Sequence, residues 1–417
     1  MEHIPIIIFQ LSIIIIFAKI FGELFQRFLN LPSVLGELIT GLIIGPYALG
    51  GISFFGLEPL FGIDSSSHSS SVVGNELLFL SHLAAIILLF QIGIETDREK
   101  FKKYALPATF VAMGGVFFPF ILGFFATIWF GYANASSING MVPALFMGAM
   151  LTATSVGVTA RVLSDLGVLD SKEGSTIMAS AVLDDVLGVI ILAAVVGIVE
   201  KGEISALSLV LIFAKAIGFW LALLIIGSIT SNYISSFFSS FKVTGSKISL
   251  TLALAFLSAS IAEHYFGLAM IIGSYTVGLA LSGTEIKHSV EKSLFHINSW
   301  LVPIFFVVIG MQADFISLWH NTEGITSIIL FIIVISIFAT ISKVFGCGIP
   351  AFILKFSKKE AYRVGIGMLP RGEIALIIAS VGISYKVIDQ ELFGISIIMI
   401  IITTILAPIL LYKSYKN

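Results

Sequence analysis

The 417-residue chain is 57% hydrophobic and only 12% charged, with a mean hydropathy of +1.06, where a soluble domain carries roughly a quarter charged residues. Water is therefore excluded as the solvent for most of the chain. The formal charge of −2 and a single cysteine, Cys347, exclude a basic nucleic-acid-binding face, an internal disulfide and a cysteine-rich metal site.

Apolar stretches of about 20 residues, enough to cross a hydrocarbon layer of about 30 Å, recur from residue 5 to residue 412. The first, Pro5 to Phe25, has no basic leader and no small-residue cleavage site, so it reads as a retained helix. Further helices are predicted near residues 33–50, 76–95, 105–130, 141–163, 173–199 and 205–230. Six more follow near 246–262, 267–283, 294–313, 323–355, 361–385 and 391–412. The fold class expected is an all-α polytopic membrane protein of about thirteen transmembrane helices, with the termini on opposite sides. The longest connection, residues 51–75, holds the polar run from Asp64 to Ser71 and reads as a solvated connector. Only a short tail follows the last stretch, so no soluble cytoplasmic domain is expected.

The basic residues orient this arrangement, because Lys and Arg concentrate in cytoplasmic loops. With the N-terminus outside, sixteen loop Lys and Arg residues fall inside, among them Arg98, Lys100, Lys102 and Lys103, whereas only Lys201 and Lys386 fall outside. The C-terminus is thus expected on the cytoplasmic side of a multi-pass protein of the cell membrane.

Apart from the loop residues, Lys19, Arg161, Lys215, Lys343 and Arg371 are the basic groups left inside the predicted spans, and Glu37, Asp184, Asp185 and Glu373 are the deepest acids. A charge at the bilayer centre costs at least roughly 2.5 kcal/mol, so such groups face cavities, pair with one another and mark transport paths. Lys19 and Lys215 stand in no motif and read as structural. Asp184 and Asp185 lie near the middle of the sixth span, in Ala179-Ser180-Ala181-Val182-Leu183-Asp184-Asp185. Neighbouring residues on a helix point about 100° apart, so the two carboxylates have different partners and different tasks. Without a compensating cation, two carboxylates in low dielectric resist simultaneous ionisation. A carboxylate that takes either a proton or a cation, but not both together, is the minimal device for antiport. Lys343, deep in the eleventh span, is the natural partner of one of them.

Two spans read as broken. The fifth contains Thr152-Ala153-Thr154-Ser155-Val156-Gly157-Val158-Thr159, and the twelfth contains Gly365-Ile366-Gly367-Met368-Leu369-Pro370-Arg371-Gly372-Glu373. Proline and glycine disfavour a continuous helix, and hydroxyls satisfy the backbone groups set free. Spans four to six occupy the same relative places as spans eleven to thirteen, an offset of seven that reverses orientation. Interrupted helices at matching places in inverted-topology repeats point to a transporter's midplane site. There the half-helix dipoles would be partly neutralised by Arg371, Glu373 and Arg161.

At these residues the chain resembles the monovalent cation:proton antiporter-2 family of sodium/proton antiporters. The resemblance runs nearly end to end through Pro32-Ser33-Val34-Leu35-Gly36-Glu37, Gly41-Leu42-Ile43-Ile44-Gly45-Pro46, the segment Thr152 to Leu163, Asp184-Asp185, Lys343 and Leu369-Pro370-Arg371-Gly372-Glu373. It implies a sodium/proton antiporter fold with two discontinuous crossed helices. It further implies a homodimer in the lipid bilayer, built over residues 1–417 from a dimerisation scaffold and a mobile core, the core helices being approximately 76–199 and 294–412. By resemblance Asp185 carries the cation and the proton, Asp184 pairs with Lys343, and Thr154 lies at the crossing; Asp185, Asp184, Thr154 and Ser155 are the residues expected to bind cation and proton, with Asp185 and Asp184 as ligands of Na⁺. Arg371 and Glu373 resemble the family's charged pair at the second break, with Arg161 and Glu37 as further pairing charges. Gln91, in Phe90-Gln91-Ile92-Gly93-Ile94-Glu95, departs from the apolar or small residue of many relatives.

The function expected is secondary active antiport of Na⁺ (or Li⁺) against H⁺ by elevator-type alternating access, electrogenic if Lys343 releases a second proton when its pair opens. No cofactor is expected. K⁺/H⁺ exchange is supported by the same residues. A cation channel or an ion-sensing membrane subunit is the rival of a different class, and no filter-like repeat supports it. An enzyme is disfavoured, because the seven histidines show no metal spacing and no nucleophile–base set stands out.

Overall fold

The computed structural model describes residues 3–29, 31–53, 59–61, 73–201, 206–312 and 325–416; the serine-rich run Asp64 to Ser71 lies outside them. Among the described residues every regular element is a helix. In chain order these are α1 (His3–Phe28), α2 (Ser33–Ile44), a short 3-10 turn (Leu49–Gly51), α3 (Asn75–Glu95), α4 (Arg98–Trp129), α5 (Ile138–Thr152), α6 (Val156–Asp165) and α7 (Lys172–Lys201). There follow α8 (Ala206–Ser239), α9 (Ser246–Phe266), α10 (Met270–Leu281), α11 (Lys287–Met311), α12 (Ile325–Ile353), α13 (Lys358–Gly367), α14 (Glu373–Ser384) and α15 (Gln390–Lys416).

Among the described residues eleven segments are long and apolar enough to cross a membrane, with α5 and α6 together forming one of them, Gly140–Asp165. Met270–Leu281 and Ile374–Ile383 are shorter apolar helices. Each of the predicted stretches falls on helix, and the differences lie at the ends. The second stops at Ile44 rather than running to residue 50, because Gly45 precedes Pro46 and is extended at φ −67°, ψ 170°. The fourth begins at Arg98, earlier than expected, because the Asp97 carboxylate accepts the N–H groups of Glu99 at 2.9 Å and Lys100 at 3.1 Å. That cap carries the basic cluster on the helix itself. The ninth shrinks to the 12 residues of α10, since Gly267, left-handed at φ +66°, closes α9 and turns the chain before it.

The helices pack in two groups. In one, α3 lies between α10 and α11, α2 between α1 and α11, and α10 also holds α8 and α9. In the other, α4 packs on α5, α7 and α12, while α15 closes over α12, α13 and α14. The groups meet where α6 touches α2 and α3 and where α7 touches α8. Apolar residues such as Ile8, Ile16, Ile225 and Ile229 are exposed on α1 and α8, as befits surfaces solvated by lipid.

The second group contains the same run twice: a long helix, a broken pair and another long helix. Its tightest joint is where α4 crosses α12. A Cβ on Gly114 would stand 2.1 Å from the Gly346 carbonyl oxygen. One on Gly115 would stand 2.5 Å from Cys347 Sγ and 3.4 Å from Lys343 Nζ. Small residues thus let the two backbones touch, as in other membrane helix pairs, and leave room for a lysine head beside them. At one end of this group α7 and α13 exchange reciprocal ion pairs, Lys172 to Glu360 at 3.2 Å and Arg363 to Glu173 at 2.9 Å.

Gly114→Val should force α4 and α12 apart and lower the melting temperature in detergent by several degrees. Gly218→Ala on α8, where an added Cβ meets nothing within 4 Å, should leave it unchanged or raise it slightly. Equal melting temperatures for the two variants would contradict the crossing as described.

Candidate functional site

Where α7 passes the two broken helices, its central carboxylates are almost fully enclosed, Asp184 at 1% and Asp185 at 2% exposure. They part as the helical geometry requires. Asp184 turns toward α12, where Lys343 Nζ lies 3.1 Å from Oδ2 and 3.3 Å from Oδ1. Neither side chain of this ion pair is exposed at all. Asp185 turns the other way, into a small cavity with Thr154, Ser155, Val156 and Gly157 of the first break and Ile374 of α14. Leu89 of α3, Ile271 of α10 and Phe305 of α11 complete its wall. The cavity measures about 10 Å³, room for about one water molecule. Its lining therefore comes from both helix groups.

The two breaks lie against each other. α5 ends at Thr152 and α6 starts at Val156; α13 ends at Gly367 and α14 starts at Glu373. The Ser155 N–H donates to the Pro370 carbonyl at 2.6 Å. The Thr154 hydroxyl, which also lies against the Asp184 carboxylate, donates to the Met368 carbonyl at 3.1 Å. Thr159 donates to the Gly367 carbonyl at 2.6 Å. Each interruption frees carbonyls that have no partner within their own helix, and side chains from the other interruption take them up.

Arg371 performs the same task with a charge. Fully buried, it donates to the carbonyls of Leu151 at 2.8 Å, Ala339 at 3.1 Å and Leu369 at 3.0 Å. A guanidinium at the C-terminal end of α5 also offsets the negative end of that half-helix dipole. Its own carbonyl accepts from Thr404 of α15 at 2.5 Å.

The structure thus brings together Asp184, Asp185, Thr154, Ser155, Lys343 and Arg371 from the predicted set. The side chain of Glu373 lies outside the described residues, although its backbone opens α14. Arg161 does not join the crossing. It lies six residues into α6 and its Nε donates to Asp165 at 3.1 Å. Glu37, 2% exposed on α2, lies in the field of Arg161, Lys19 and Asp165 instead. These residues form a second charged region where α6 ends and α2 begins, here called the inner end after the predicted topology. Lys19 and Lys215 are exposed, in keeping with structural roles.

Sequence reasoning missed five contributors. Thr159 lay within the polar segment of the fifth span but was not separated from its neighbours. Thr404 is a hydroxyl in the middle of an apolar stretch, a signal equal in kind to that of the Thr/Ser cluster. Leu89, Ile271 and Phe305 gave no signal, because an apolar residue that lines a cavity looks like any other in an apolar span.

The sequence pattern of the family described as "Sodium/hydrogen exchanger, transmembrane" matches residues 12–412. The chain belongs to the sodium/hydrogen exchanger family. It is 34% identical over 409 residues to the Na(+)/H(+)-K(+) antiporter GerN of Bacillus cereus, covering 98% of this chain and 96% of that protein. It is 35% identical over 423 residues to the high-affinity Na(+)/H(+) antiporter NhaS3 of Synechocystis sp., covering 95% and 88%. In fold it is similar to the sodium proton antiporter MjNhaP1 from Methanocaldococcus jannaschii, with a TM-score of 0.70 at 18% identity over 99% of this chain and 97% of that one. These relatives are transporters rather than enzymes.

Removing one partner of a fully buried ion pair leaves an uncompensated charge, at a cost of about 3–5 kcal/mol. Lys343→Met should therefore strongly lower the melting temperature in detergent. Adding Asp184→Asn should recover most of the loss by removing the stranded carboxylate. A single variant as stable as the wild type would contradict the pairing.

Proposed function

We propose that this protein exchanges Na⁺ (or Li⁺) for H⁺ across the cytoplasmic membrane, with Asp185 as the shared carrier of cation and proton. The observation that carries this reading is the division of the aspartate pair. Asp184 is committed to Lys343 at 3.1 Å, whereas Asp185 faces a cavity walled by both helix groups. A carboxylate with hydroxyl and backbone oxygens around it is the hard-oxygen environment that alkali cations prefer. Asp185 with Thr154 and Ser155 fits a small cation in this way, and the cavity has little room for its water shell. A proton on Asp185 removes the charge that holds the cation, so the two ligands compete.

Alternating access follows from where the site lies. The packing supports a mobile core of α4–α7 and α12–α15 that moves against a scaffold containing α1–α3 and α9–α11. The proposed core leaves out α3 and α11, which pack with α10 and α2. The matching runs α4–α7 and α12–α15 are the two inverted repeats, their broken helices crossing at the site, and α10 and the broken pair α13–α14 bring the eleven long spans to a count of thirteen. An elevator movement carries Asp185 past the apolar wall of Leu89, Ile271 and Phe305. When the cation arrives, Thr154 and the Asp184 carboxylate rearrange, the Lys343 pair opens, and an unpaired buried ammonium gives up its proton. Exchange is then electrogenic. The exposed apolar faces of α1 and α8 support contact with lipid and with a second copy in a homodimer, the N-terminus outside and the C-terminus inside. Control of cytoplasmic pH and sodium is the role such exchange would serve.

K⁺ deserves a place beside Na⁺ as a second substrate, because the relative GerN is named for both ions. In proteoliposomes, a Na⁺ gradient should drive a pH change that Asp185→Asn abolishes, and substituting Li⁺ or K⁺ should rank the ions. Full exchange activity in Asp185→Asn would overturn the carrier assignment.

A further inference from the structure

Gln91, the residue that departs from the family pattern, is part of a polar chain that the proposed carrier site does not use. Its Nε2 donates to Glu95 Oε1 at 2.6 Å, one turn further along α3. Its Oε1 accepts from Asn298 Nδ2 of α11. From α6, Ser164 Oγ donates to Glu95 Oε2 at 3.1 Å. Lys287, at the start of α11, reaches the Glu95 carbonyl at 3.5 Å and Glu291 at 3.6 Å.

Asn298 is only 5% exposed, and among the described residues its Oδ1 has no hydrogen-bond partner. A buried amide carbonyl without a partner costs about 1–3 kcal/mol. The amide head meets Gln91, so this unused acceptor belongs to a group that already holds a carboxylate and a second amide oxygen. Asparagine and glutamine oxygens beside a carboxylate are hard donors of the kind alkali cations accept in place of water.

The position of this group also bears on its task. Asn298, Val302 and Phe305 follow one face of α11 at the i, i+4, i+7 spacing of a helix. Phe305 lines the Asp185 cavity, as does Leu89, two residues from Gln91 on α3. Seven residues span roughly 10 Å of helix. Polar oxygens thus lead from the inner end of the bundle to the apolar wall that closes off Asp185.

We propose that Gln91, Glu95 and Asn298 form a staging site on the inner side of the scaffold, where a monovalent cation exchanges part of its water shell for protein oxygens before it reaches Asp185. The site rests on the cation-exchange reading for its purpose, but its occupancy is measurable separately. The apolar wall beyond it favours an ion that has already lost water, so the amides influence which cation passes.

Thallium(I), a heavy monovalent cation, is the direct probe. Crystals of the full chain grown with Tl⁺ should show an anomalous peak beside the Glu95 carboxylate and the Asn298 amide. That peak should vanish in Gln91→Leu/Asn298→Leu, while any peak at Asp185 stays. In oriented vesicles, the same double variant should raise the half-saturating Na⁺ concentration several-fold when Na⁺ is offered to the inner face, with a smaller effect from the outer face. Absence of a Tl⁺ peak at Glu95 in the wild type, or its persistence in the double variant, would overturn the proposal. A Tl⁺ peak at Glu95 supports it even where Asp185→Asn retains exchange, an outcome that removes the carrier assignment alone.

Discussion

Two opposite charges held 3.1 Å apart with no exposure to solvent set the terms for the rest of this bundle. Moving an ammonium and a carboxylate out of water is costly, and their attraction repays it only in good geometry with the remaining polar atoms satisfied. Much of the surrounding packing serves that end. The contact of Gly114 and Gly115 with α12 brings the lysine-bearing helix close enough for Nζ to lie inside the core. α4 also packs on α7, the helix that carries both aspartates. A buried pair of this kind contributes little net stability compared with apolar side chains of similar size. Its presence is better explained by the proposed opening of the pair during exchange.

The same reasoning applies to the broken helices. Unwound backbone inside a membrane protein leaves carbonyls and N–H groups that lipid cannot satisfy. Here the two interruptions satisfy one another, through Ser155 to Pro370, Thr154 to Met368 and Thr159 to Gly367. Arg371 closes the account at three carbonyls. The arrangement leaves Asp185 beside short, polar, oxygen-rich backbone, while apolar residues of α3, α10 and α11 face it from the other side. Every polar lining group named for the cavity belongs to the group that contains α7, so in the proposed movement the polar part would travel with the aspartate.

How far the sequence revealed this depended on whether a residue violated the expectation of its surroundings. Asp184, Asp185, Lys343 and Arg371 were legible because charges in apolar spans are costly, and Pro370 marked its break because proline with glycines on both sides disfavours a continuous helix, whereas the lone Pro107, Pro119 and Pro350 stay within theirs. Arg161 and Glu37 violated the same expectation but belong to another region. Distance along a helix from a break does not reveal which neighbouring helix a side chain meets, and α6 turns Arg161 toward Asp165 and the field of Glu37. Gly45-Pro46 gave the early end of α2 in plain sight, yet hydropathy alone carried the predicted span across it. Leu89, Ile271 and Phe305 were silent, since packing partners on distant segments leave no mark in a uniformly apolar pattern. Gln91 was visible only as a departure, and its meaning came from Asn298, more than 200 residues later.

The central claim is that the Lys343–Asp184 pair opens as Asp185 takes up a cation, so that more than one proton leaves for each cation bound. The most direct test is the reversal potential of purified protein in proteoliposomes, with Na⁺ and pH gradients fixed and the membrane potential clamped. The account predicts that net exchange stops at a membrane potential set by two protons per Na⁺. Turnover that does not respond to the clamped potential would contradict it.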